Sequence, residues 1–111
     1  MRTATVIALA LALSVLPSFV SAESVYVKYR GEVELKPFDC TNISRSSFIT
    51  RVCYDRRAQN MLISLNGTFY EYCGIDPSTV SSLLSANSMG RFYNTDIKRR
   101  FDCRIYPIPS R

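Results

Sequence analysis

Cys40, Cys53, Cys73 and Cys103 are the side chains of this 111-residue chain best suited to chemistry, and three uses compete for them. Zinc would ask for a Cys-x-x-Cys pair or for histidines; no such pair occurs and histidine is absent, so no metal site is expected. A reactive thiol needs a nearby base or a resolving cysteine at short spacing, and neither is visible. Cross-linking remains. Four cysteines allow three pairings, and each bridge would add ~2–4 kcal/mol in an unstrained geometry.

Acid–base catalysis is poorly provided for. Asp55, Glu71, Asp76, Asp96 and Asp102 fall in no motif that singles out two of them. Serines abound, but neither a Gly-x-Ser-x-Gly elbow nor a Ser-x-x-Lys segment occurs. The chain is therefore not expected to be an enzyme, and no motif implies a cofactor. Anion binding is better served. The chain carries 14 Lys and Arg against 9 Asp and Glu. Acids concentrate between Glu23 and Asp55, whereas Lys98-Arg99-Arg100 and Arg104 crowd the other end. Arg56, Arg57, Arg91, Lys98, Arg99 and Arg100 are the candidate anion clamp, suited to phosphates, acidic glycans or anionic headgroups. The simpler reading of the cluster is a solvated helix end, where cations suit the helix dipole.

The chain begins with Met1 and Arg2, an apolar run from Val6 to Leu16, Pro17 and Val20-Ser21-Ala22. A basic start, an apolar middle and small residues before a cut are the marks of a secretory signal. Crossing a bilayer takes ~20 apolar residues, so this run predicts a leader over residues 1–22 and no transmembrane anchor after its removal. All four cysteines lie beyond Ala22, which fits a secreted or periplasmic protein in an oxidising place. Cleavage leaves 89 of the 111 residues, one small domain with a modest core.

Alternating Val25, Val27 and Tyr29 predict a strand, interrupted at Gly31 and continued by Val33 and Leu35. Pro37 to Arg45 reads as a connection. Phe48, Thr50, Val52 and Tyr54 predict one side of a second strand, Met61, Ile63 and Leu65 a third, and Asn66-Gly67 a tight hairpin into Tyr70 and Tyr72. Residues 47–73 thus predict a three-stranded antiparallel meander, extended if the N-terminal strand joins it. Next-but-one strands are ~9–10 Å apart, too far for a direct Cys53–Cys73 bond in a flat sheet, and the pairing stays open. Asp76-Pro77 opens a helix through Val80, Leu83 and Leu84, which Asn87, Ser88 and Gly90 stop. Asn94 is the expected cap of a second short helix through Ile97 and Phe101. Ile105-Tyr106-Pro107-Ile108-Pro109 predicts an extended tail. The class is α+β: the meander packed by one or two short helices, after an extension over residues 23–45.

From about Ser46 to Phe101 the chain resembles the KTSC domain, found at the C-terminus of some lysyl-tRNA synthetases and alone in many bacterial proteins. The resemblance is carried by Cys53-Tyr54-Asp55, Met61-Leu62-Ile63-Ser64-Leu65 ahead of Gly67, Tyr70-Glu71-Tyr72, Asp76-Pro77, Ser88 to Asn94, and Ile97. The family's tyrosine-x-tyrosine motif falls on Tyr70 and Tyr72, and its small-residue segment on Ser88, Gly90 and Asn94. The resemblance implies architecture, no catalytic residue, and a suggested role in RNA binding. A leader, an N-terminal extension and four cysteines depart from the general pattern. The function expected is a small exported binding or interaction module, disulfide-stabilised, whose partner is unknown: an anionic envelope component or a protein. Nucleic-acid binding through basic and aromatic residues is the alternative, and a purely structural or assembly role is the third reading. Asn42-Ile43-Ser44 and Asn66-Gly67-Thr68 match glycosylation acceptors in form only.

Overall fold

A computed structural model describes residues 22–104. Residues 1–21 of the leader expected over residues 1–22, and the tail from Ile105, lie outside the described residues. In chain order the elements are β1 (Ser24–Val27), β2 (Gly31–Glu34), β3 (Asp39–Asn42), β4 (Ile49–Asp55), β5 (Asn60–Leu65), β6 (Thr68–Cys73), α1 (Pro77–Ser85), α2 (Met89–Phe92) and a π-helical turn (Tyr93–Ile97).

The sheet corrects the expected three-stranded meander. It has six strands in the order β2-β1-β6-β5-β4-β3, antiparallel except where β1 meets β6 in parallel. Strands β4, β5 and β6 form its middle, with β5 and β6 joined by Asn66-Gly67 at φ 52° and 88°. Such positive angles are what a two-residue hairpin turn requires. Residues 24–42 supply the other three strands, and two misread signals explain the error. The apolar alternation from Val25 to Leu35 passes unbroken through a hairpin. Val25 faces Val33 and Val27 faces Gly31, so the intervening turn of Lys28, Tyr29 and Arg30 preserves the two-residue phase. Strand β3 has no apolar alternation because it is a sheet edge with three of its four residues exposed. In β4 the register shifts between Ile49 and Arg51, so Ile49 is buried and Thr50 is exposed, against the expected phase.

Curling is forced by chain length. Flat, the two edges would stand ~24 Å apart at ~4.8 Å per strand. Only Leu35 to Phe38 separate β2 from β3, and so short a link reaches at most ~17 Å. The sheet is therefore a half-barrel. Its inside is filled by Val27, Val33, Leu35, Phe38, Cys53 and Leu62, which come from both halves of the sheet. The opposite face of β4, β5 and β6 carries Ile49, Val52, Met61, Ile63 and Tyr72 against Val80, Leu83, Met89, Tyr93 and Ile97 of the helical segment. Strand β5 is thus covered on both faces.

Helix α1 starts at Asp76, whose carboxylate accepts from the Thr79 amide at 3.3 Å and the Thr79 hydroxyl at 2.6 Å, and Pro77 follows in the first turn. These hydroxyl bonds, with that from Ser78 first, hold the Asp76 carboxyl down to about 2. The second helix begins earlier than expected. Ser88 caps it by accepting from the Arg91 amide at 3.2 Å, Gly90 lies inside it, and Asn94 sits within the π-turn. There the Lys98 amide donates to Tyr93 O at 2.9 Å, five residues back. The widened turn brings Met89, Tyr93 and Ile97 onto one buried side. No helix among the described residues is long and apolar enough to cross a membrane.

The bridges are Cys40–Cys53, between facing residues of β3 and β4, and Cys73–Cys103. Each joins the middle of the sheet to a flanking segment.

Candidate binding clefts

The cations read as one clamp do not form one. Arg56 and Arg57 follow β4, in a turn whose amides at Arg57 and Ala58 donate to Asp55 Oδ1 at 3.1 and 3.2 Å. Arg91 lies beside Phe48, ahead of the other end of β4, which puts the two groups ~20 Å apart along the strand at ~3.3 Å per residue. Lys98, Arg99 and Arg100 are exposed after the π-turn, with Arg100 reaching Asp96 at 3.8 Å. That is the solvated helix end.

Arg91 does line a groove of about 500 Å³ between the loop before β4 and α2. Arg45 stands in it too, fixed by donating to Leu84 O at 2.7 Å and Ala86 O at 2.8 Å at the end of α1. Ser46, Asn87, Ser88 and Asn94 add neutral donors and acceptors, and no lining residue is acidic. Arg45 was not among the sequence candidates. Its place depends on the fold-back of α1 onto the loop before β4, 39 to 41 residues away in the chain.

The family positions separate into two kinds. Tyr72 is buried, its hydroxyl bonded to that of Tyr93 and its ring edge-on to Tyr93 at 5.8 Å. Tyr93 meets Phe48 at 6.2 Å, and a Cβ on Gly90 would lie 2.6 Å from the Phe48 ring. These positions, with the cap at Ser88, hold α2 on the sheet. Tyr70 and Asn94 instead line concave surface.

Tyr70 belongs to a smaller cleft of about 160 Å³ at the seam between the β1–β2 turn, β6 and the segment after Phe101. Strand β1 pairs with β6 only at Phe69, and the chain then lifts away through Lys28, Tyr29 and Arg30. Asp102, bridged to Tyr72 and anchored by Cys103, forms the far wall. Arg30 donates to both oxygens of Glu71 at 2.7 and 2.6 Å, and Asn60 donates to the same carboxylate at 2.6 Å. Arg104 grips Asp102 at 2.7 Å and holds its carboxyl below the usual range. Glu71, Cys73 and Cys103 come within 4.8 Å of one another, but both sulfurs are bonded in the bridge and have no thiolate to offer a metal. Sequence reading missed Lys28, Tyr29, Arg30 and Arg104 as a group because the hairpin that gathers them was read as one strand. The two glycosylation-like asparagines, Asn42 and Asn66, are exposed.

A family model, the KTSC domain, matches residues 45–101. Among solved structures, the chain is similar to the crystal structure of a KTSC domain protein from Yersinia pestis, at 29% identity and a TM-score of 0.54, over 58% of this chain and 90% of that one. Comparison with curated proteins gives no match. Each disulfide joins one cysteine inside the matched segment to one outside it. With half of its length matched, the chain belongs to the KTSC domain family, and it builds β1, β2 and β3 onto the family segment's sheet.

Proposed function

We propose that the protein is an exported binding module, without catalysis, that grips an anionic component of the cell envelope in the groove between residues 45–48 and α2. The observation that carries this reading is the pairing of Arg45 and Arg91 across a groove with no acidic lining. Arg45 is already immobilised by α1, so less side-chain freedom is lost on binding. Export rests on the leader, and the two bridges suit an oxidising compartment. Nucleic acid draws on the same cations, but the groove's one aromatic ring, Phe48, is half-buried and engaged by Gly90 and Tyr93, leaving no open platform for a base.

The test is a titration of the oxidised protein with an acidic polysaccharide and with a single-stranded oligonucleotide at two salt concentrations. The polysaccharide should bind, more weakly as salt rises, and Arg91→Glu should lower its affinity about tenfold or more. Arg57→Glu, at the far end of β4, should change it little. Equal losses in both variants would reduce the binding to diffuse charge, and tighter binding of the oligonucleotide would replace the envelope reading with the nucleic-acid one.

A further inference from the structure

We propose that the seam cleft is a subsite for a single carboxylate group, which Lys28 pairs while the ring of Tyr29 covers the adjoining atoms. This goes beyond the groove and rests on different residues. Tyr29 holds φ 70° in the β1–β2 turn, a left-handed conformation uncommon for a bulky residue, and the residue is 68% exposed. Strained residues of this kind gather at ligand sites. The ring is flanked by cations: the Lys28 ammonium lies 5.5 Å from its centre and 5.9 Å from that of Tyr70, and the Arg104 guanidinium lies 4.8 Å from Tyr29.

Charge sets the ligand. Both acids of the cleft already have an arginine, Glu71 with Arg30 and Asp102 with Arg104. Lys28 forms no ion pair among the described residues. One cation is thus left to be matched, which suits a monoanion; a doubly charged phosphate would meet Glu71 and Asp102 with no second cation to spare. Size agrees. A cleft of about 160 Å³ is below the ~300 Å³ at which pockets begin to take whole drug-sized ligands, so it seats a carboxylate and a few neighbouring atoms. Such a group occurs on a uronic acid and at the end of a peptide.

Ring-proton NMR of the oxidised protein distinguishes these sources when sodium galacturonate, N-acetyl-alanine, galactose and inorganic phosphate are titrated at constant ionic strength. Saturable shifts of Tyr29 and Tyr70 are expected with a carboxylate and none with galactose; the tighter carboxylate identifies the source. Lys28→Met should weaken binding about tenfold. Tyr29→Gly should also weaken it while the melting temperature holds or rises, because glycine accepts the positive φ. A purely structural Tyr29 would give the reverse: a lower melting temperature with binding intact. The assignment falls if neither carboxylate saturates, if phosphate binds as tightly, or if Lys28→Met binds normally. Arg91→Glu should leave these shifts in place, so the groove and the cleft stand or fall separately.

Discussion

The hydroxyls of Tyr72 and Tyr93 satisfy each other in an otherwise apolar core, where Tyr93 is only 3% exposed. Removing one leaves its partner buried without a bond, at a cost of ~1–3 kcal/mol, whereas removing both is milder than the sum of the two. Denaturant titration of Tyr72→Phe, Tyr93→Phe and the double variant should show that non-additivity. Alkali acts on the same pair. Burial first, and then the bond to Tyr93, push the Tyr72 hydroxyl upward, and burial does the same to Tyr93. An unfolded tyrosine loses its proton near pH ~10 while the folded one keeps it. The stability is therefore complete below that pH and is lost as pH rises above it. The melting temperature should fall above pH ~10, and fall less in the double variant. Tyr54, raised by burial too, keeps the effect from vanishing. The sequence placed Tyr72 on the strand that follows the Asn66-Gly67 hairpin. Its partner lies 21 residues on, and no local period links the two.

Among the elements, the sequence was legible where a residue type marks the local geometry it needs. Asn66-Gly67, the cap at Asp76 and the apolar face of α1 are local signals, and each describes local geometry. Strand β3 was illegible because pairing with β4, and not its own composition, makes it a strand, and the β1–β2 hairpin merged into one strand because its three-residue turn leaves the apolar phase unbroken. Gly90 is the instructive middle case. As a glycine it suggested a helix stop, whereas its use is to let α2 approach Phe48. An added Cβ at 2.6 Å cannot be absorbed cheaply, because the Phe48 ring is half-buried against Tyr93. Alanine gains ~1 kcal/mol in helix propensity, but the overpacking of ~1–3 kcal/mol should exceed it. Gly90→Ala should thus lower the unfolding midpoint, and Phe48→Leu in the same chain should recover part of the loss. A Gly90→Ala protein at least as stable as the parent would show that α2 can shift without cost. Gly90 and Phe48 both line the groove, so Gly90→Ala should also weaken the anion binding proposed at Arg91.

For the molecule as a whole, closure of the sheet and closure of the disulfides are one problem. The family segment alone would present β4 and β6 as open edges; here β3 covers the first and β1 the second, and a bridge secures a flanking segment on each side. Four cysteines beyond an apolar, leader-like start made cross-linking legible, but the pairing needed β3, which the sequence hid. The two loops close over separations of 13 and 30 residues, which corresponds to about 3 and about 3.6 kcal/mol of chain entropy. Neither loop encloses the other, so the effects should add. Their sum rivals the ~5–15 kcal/mol that holds a typical domain together. Paired serine substitutions at Cys40 and Cys53 should therefore leave a cooperative but weaker fold, detectable as a lower urea midpoint with a somewhat steeper slope, because the denatured chain without the bridge exposes more surface. The same change at Cys73 and Cys103 should cost slightly more. It should also weaken the proposed carboxylate binding at the seam, because Arg104 loses the anchor that holds it against Tyr29. Removing all four cysteines should leave little or no cooperative transition at 37 °C. A fully reduced chain that melts like the oxidised one would mean that the half-barrel closes by packing alone, and the link between this fold and an oxidising compartment would be lost.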